Sequence, residues 1–93
     1  MPFRLELSPR AKTRGWKVKI RDKERLESPH VTIQFRWRTW RVDLRTGEMM
    51  DHGNSWGQID PDVAETVVSS WEAICRAWDE MYPLNPVGTD DEK

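Results

Sequence analysis

A chain of 93 residues has room for one core, and its six Trp, two Phe and one Tyr compensate for a lean 37% of hydrophobic residues, since each aromatic side chain can bury roughly 150 to 250 Å². One cysteine, Cys75, excludes an intramolecular disulfide and a thiolate zinc cluster and suits a reducing cytoplasm. No apolar run approaches the roughly 20 residues of a membrane span, and the start Met1-Pro2-Phe3-Arg4 lacks a signal-peptide pattern, so a cytoplasmic protein is expected.

The net charge of −1 conceals a division. Residues 1–48 carry 13 Lys or Arg against 6 Asp or Glu, whereas residues 49–93 carry 2 against 10. Asymmetry between halves hints at an anionic partner.

In chain order, Phe3-Arg4-Leu5-Glu6-Leu7 alternates apolar and polar residues and predicts a strand. Residues 8–15, basic and broken at Pro9 and Gly15, read as a loop. Alternation returns in Trp16-Lys17-Val18-Lys19-Ile20-Arg21, His30-Val31-Thr32-Ile33-Gln34-Phe35-Arg36 and Trp40-Arg41-Val42-Asp43-Leu44-Arg45, the pattern of half-buried strands. Trp37-Arg38-Thr39 is short enough for a hairpin, and Thr46-Gly47 turns the chain before a further short strand at residues 48–50. Residues 51–58, Asp-His-Gly-Asn-Ser-Trp-Gly-Gln, form a second loop.

From Asp60 the period changes to 3.6. Val63, Ala64, Val67, Val68, Trp71, Ile74, Cys75, Trp78, Met81 and Tyr82 make one stripe, predicting a single helix over residues 60–82. Asp60 caps it, Pro61 takes the first position and Pro83 stops it. Residues 84–93, with the run Asp90-Asp91-Glu92, read as a flexible acidic tail. The expected architecture is α+β: one domain over residues 1–83, an antiparallel sheet of three to five strands packed on one C-terminal amphipathic helix.

Strand parity turns this into a statement about surfaces. If the apolar residues face the helix, then Lys17, Lys19, Arg21, Arg36, Arg41 and Arg45 face away from it, with Arg38 at the hairpin tip, and the open face is basic. Solvated strands carry such charges as a matter of course. Like charges on one face also favour an anion, and nucleic acid, RNA or DNA, is the commonest; an acidic protein or a homodimer pairing basic sheet with acidic helix would also serve. Parity leaves that face no aromatic for base stacking, which favours recognition of a duplex by backbone or shape.

Two histidines are the groups that ordinarily titrate near neutrality. His30 opens a strand on the basic face, either as a strand-end histidine satisfied by a hydrogen bond or as an acid or base in RNA cleavage, and His52 lies in the second loop. Cys75 falls on the buried stripe and reads as core. Trp56 is expected to fold back over the core edge or to anchor a contact. Asp51 and His52 lack the companions a metal needs, and neither a phosphate-cradling glycine motif nor a nucleophile signature is present, so no metal or cofactor is expected.

The run Ser28-Pro29-His30-Val31-Thr32, then Trp40-Arg41-Val42-Asp43-Leu44-Arg45-Thr46-Gly47-Glu48, then a helix bearing Val and Trp, resembles small bacterial proteins of unknown function associated with toxin–antitoxin pairs. More distantly, a His-bearing strand, a second strand and a helix are similar to HicA-like messenger-RNA interferases, which have a double-stranded-RNA-binding fold and one functional histidine; that resemblance implies His30 as the matching position. Three readings follow: a non-catalytic module binding an anionic partner through the basic sheet face, a toxin ribonuclease using His30, and a protein-interaction or oligomerising subunit.

Overall fold

The computed structural model describes residues 3–21 and 27–88. Four strands, β1 (Phe3–Arg4), β2 (Trp16–Ile20), β3 (His30–Phe35) and β4 (Arg38–Asp43), form an antiparallel sheet in the order β1-β2-β3-β4. The register sets Val18 opposite Ile33, Ile33 opposite Trp40 and Val31 opposite Val42. These apolar residues share one face, as alternation requires. Ile59, Val63, Val67, Ile74, Trp78 and Tyr82 complete the buried core with them. The α+β expectation holds, a four-stranded sheet with C-terminal helices. Among the described residues no helix is long and apolar enough to cross a membrane.

Several local expectations are corrected. The loop at residues 8–15 contains a helix, α1 (Pro9–Arg14). Ser8 Oγ accepts from Ala11 N at 3.2 Å, Pro9 occupies the first turn, and Gly15 closes the helix at φ 102°, a left-handed position that glycine takes without a Cβ clash. The two residues read as breaks are thus the two ends of a helix. Ala11, its one buried residue, docks it on the core.

The single helix predicted over residues 60–82 is two, α2 (Pro61–Ser69) and α3 (Trp71–Met81), joined at Ser70. Ser70 leaves the helical region at φ −106°, ψ 15°. Ser69 Oγ donates to the Thr66 carbonyl at 3.2 Å, the local competition by which serine weakens a helix interior. The apolar stripe runs through the joint from Val67 to Ile74, so periodicity does not register the break. Residues 48–50 form no strand; Met49 makes an isolated bridge to Val42. The hairpin turn lies at Arg36-Trp37, one residue earlier than expected, with Phe35 opposite Arg38 as the last pair.

The segment after Pro83 is fastened as far as Val87. Trp78 Nε1 donates to the Asn85 carbonyl at 2.7 Å, Val87 N to Asp79 Oδ1 at 2.8 Å, and Asn85 Nδ2 to the Glu27 carbonyl at 2.7 Å. The acidic run Asp90-Asp91-Glu92 lies outside the described residues.

Candidate nucleic-acid interface

The seven candidate cations, six placed by parity and Arg38 at the hairpin, divide in the structure. Arg41 is spent on its own fold: Nε donates to Asp51 Oδ2 at 3.0 Å, Nη2 to Asp51 Oδ1 at 2.6 Å and Nη1 to Glu27 Oε1 at 3.1 Å, a bidentate pairing that suits guanidinium. Arg45 donates to the carbonyls of Val87 and Pro86 at 2.9 and 3.0 Å. Lys19 is half-buried beside its cross-strand neighbour Thr32, and Arg21 is exposed at the end of β2, its carbonyl accepting from the Tyr82 hydroxyl. Lys17, Arg36 and Arg38 are exposed, and none forms an ion pair with a carboxylate of the described residues. The basic helix α1 is answered internally, Arg14 by Asp60 at 3.3 Å and Lys12 by Glu6 at 2.6 Å.

The three cations without a carboxylate partner stand at one end of the sheet. Lys17 pairs with Gln34, and the β3–β4 turn begins two residues further on. In that turn Arg36 has φ 57°, the only non-glycine residue with positive φ among those described. A two-residue hairpin whose first turn residue is left-handed ordinarily takes glycine there. Trp37 beside it is 84% exposed. The flanking guanidiniums rest on rings: Arg36 lies 5.1 Å from the Phe35 centroid and Arg38 4.6 Å from that of Trp40. Those rings belong to one stack, with Trp16 at 4.3 Å from Phe35 and 5.7 Å from Trp40. Gln58 Oε1 accepts from Arg38 Nη2 at 3.3 Å and from Trp40 Nε1 at 2.9 Å, tying the second loop to the hairpin.

Parity reasoning missed Trp37, because the pleat dictates side-chain direction only within strands. The available signal was a tryptophan between two arginines at a turn.

His30 departs from its expected place on an open face. It is fully buried, its ring 5.6 Å from that of Trp78, and Thr32 is buried as well. At the start of β3 the side chain meets α3, so the pleat does not decide its surroundings there. His30 Nδ1 lies 2.8 Å from the Ser28 carbonyl, which can only accept, so Nδ1 bears the proton. Nε2 faces Glu27 Oε1 at 3.7 Å, the same oxygen that accepts from Arg41. His30, Glu27, Arg41 and Asp51 thus form one chain of polar groups. His52 is exposed, and no contact among the described residues joins it to His30. No group of three metal-ligating side chains exists among the described residues.

Cys75 is half-buried rather than enclosed, and burial, followed by the charges of Asp79 and Glu72, raises its thiol pKa. Trp56 folds back over the core edge and donates Nε1 to the Gly47 carbonyl at 3.0 Å.

The Arg41 hydrogen bonds hold the Asp51 carboxyl below its ordinary 3.8, against the opposing effect of burial. A carboxylate whose folded-state pKa is depressed stabilises the fold fully above the ordinary value, and that contribution is lost as pH falls through the folded value. Asp51→Asn is therefore expected to cost about 0.5–1 kcal/mol at neutral pH, a modest amount because the pair is well exposed to solvent. The difference from wild type should shrink below about pH 4. Thermal melts of both proteins across that range check it; a gap independent of pH would contradict the assignment.

Comparison with protein families, curated proteins and solved structures finds no match to this chain. Fold and site define it as a small α+β domain with a cationic, aromatic-tipped hairpin.

Proposed function

We propose that this domain is a non-catalytic nucleic-acid-binding module whose contacts come from the hairpin end of the sheet rather than from the whole open face. The observation that carries this is that Arg36 and Arg38 in the hairpin, and Lys17 on the open face at the same end of the sheet, are exposed and without a carboxylate partner among the described residues, whereas Arg41 is paired with Asp51 and Glu27. Surface cations whose charge no carboxylate offsets are available to phosphate, and releasing the counterions condensed on nucleic acid drives such contacts. The ribonuclease reading draws no support from His30, whose enclosed ring offers no atom to a substrate.

Binding should be salt-sensitive. With about one phosphate neutralised by each of the three cations, affinity should fall about 20- to 40-fold between roughly 50 and 200 mM salt. Lys17→Glu combined with Arg36→Glu should flatten that dependence and abolish retention. Arg36→Gly should weaken binding while stabilising the fold by about 0.5–1 kcal/mol, because glycine accepts the left-handed turn position without strain. Labelled RNA and DNA, single-stranded and duplex, titrated at both salt levels test the reading; wild-type protein that retains none of them at low salt ends it. RNA cleavage by wild type in the same titration would instead favour the ribonuclease, and a doubled solution mass without binding the oligomerising subunit.

A further inference from the structure

Resting on the nucleic-acid reading above, we infer that Trp37 is a stacking platform for an unpaired base, so that the module takes single-stranded nucleic acid in preference to a duplex. Trp37 is 84% exposed at the apex of the β3–β4 hairpin, and its neighbours in sequence are arginines. A tryptophan anchoring a protein interface works within a ring of contacts that exclude water. Here the flanking surface is guanidinium, and the other large exposed hydrophobic side chains, Val68 on α2 and Leu84 beyond α3, belong to other parts of the fold. A nucleobase needs less: one open π face, and cations close by for the phosphates on either side.

The tip supplies both, with the cations held in place. Arg36 and Arg38 lie against Phe35 and Trp40, and Arg38 is further held by Gln58. Two guanidiniums already immobilised on an aromatic stack lose little freedom on meeting phosphate. Arg36 also occupies a left-handed turn position that glycine would fill more easily, so the turn retains a cation at a conformational cost. A duplex hides its base faces inside the stack and offers the ring nothing. An unpaired strand presents them.

Fluorescence anisotropy tests this with oligothymidylate and oligouridylate of about 16 nucleotides, a full site for a small single-strand binder, alongside a mixed-sequence duplex of equal length. The probes meet wild type, Trp37→Ala and Trp37→Phe, with folding of each variant confirmed by circular dichroism; Trp37 lies outside the core, so both should fold. The expected result is a single-strand preference in wild type and a loss of about tenfold or more for single strands in Trp37→Ala. Trp37→Phe should keep most of the affinity, and duplex binding should barely change. Equal binding of duplex and single strand, unaffected by Trp37→Ala, would overturn the inference while leaving the nucleic-acid reading intact. No binding of any probe at low salt would remove both. Loss of self-association in Trp37→Ala, with nucleic-acid binding unchanged, would make the tip a protein contact and also overturn it.

Discussion

Trp78→Ala is expected to remove about 3–5 kcal/mol of stability, the usual cost of truncating a large buried aromatic. The indole is fully enclosed, with Tyr82 at 4.4 Å and His30 at 5.6 Å between ring centroids. Its Nε1 donates to the Asn85 carbonyl, and so holds down the chain that Arg45 grips at Pro86 and Val87. Truncation opens a cavity on the helix side of the sheet and removes that hydrogen bond at once. A chain of this size has about 5–14 kcal/mol in total, so the variant should be largely unfolded at temperatures where wild type is intact. Urea unfolding followed by circular dichroism measures it, and a loss under about 1 kcal/mol would show that Trp78 does not hold the C-terminal segment to the core.

The second large effect is expected at His30. Replacement by alanine should cost about 2–4 kcal/mol, combining a cavity beside Trp78 with the loss of the hydrogen bond to the Ser28 carbonyl. It also removes the imidazole facing Glu27, leaving that carboxylate with Arg41. This separates two roles that a growth assay would confuse. A catalytic histidine on an accessible surface can be replaced with little effect on stability while activity disappears; a buried structural one lowers stability whatever the protein does. Urea unfolding of His30→Ala decides between them, and a variant as stable as wild type would return His30 to the list of candidate catalytic groups.

The fold was legible where the relevant physics is local. Alternation in β2, β3 and β4 predicts an antiparallel sheet, and the stripe from Val63 to Tyr82 predicts the helical layer. The N-terminal helix was also written locally, as Ser8-Pro9 at one end and Gly15 at the other, but the same residues serve turns. Only the docking of Ala11 on the core distinguishes the two. The joint at Ser70 escaped because α2 and α3 keep their apolar residues in phase across it.

The site was legible only in part, since parity predicts where a side chain points and says nothing about what waits there. Lys17 is exposed as the pleat requires. Arg41 and Arg45 look equivalent to it in sequence, yet Asp51, Glu27 and the carbonyls of Pro86 and Val87 fold against them.

The sequence by itself determined the layers, a sheet covered by C-terminal helices, and the abundance of positive charge in the strands, because side-chain direction and helical phase follow from spacing along the chain. Tertiary structure alone decided which charges remain available, that His30 is enclosed, and that Trp37 stands in solvent between two arginines held on rings. Pairing and enclosure depend on groups brought together from distant parts of the chain, and at a hairpin apex no pleat directs the side chain.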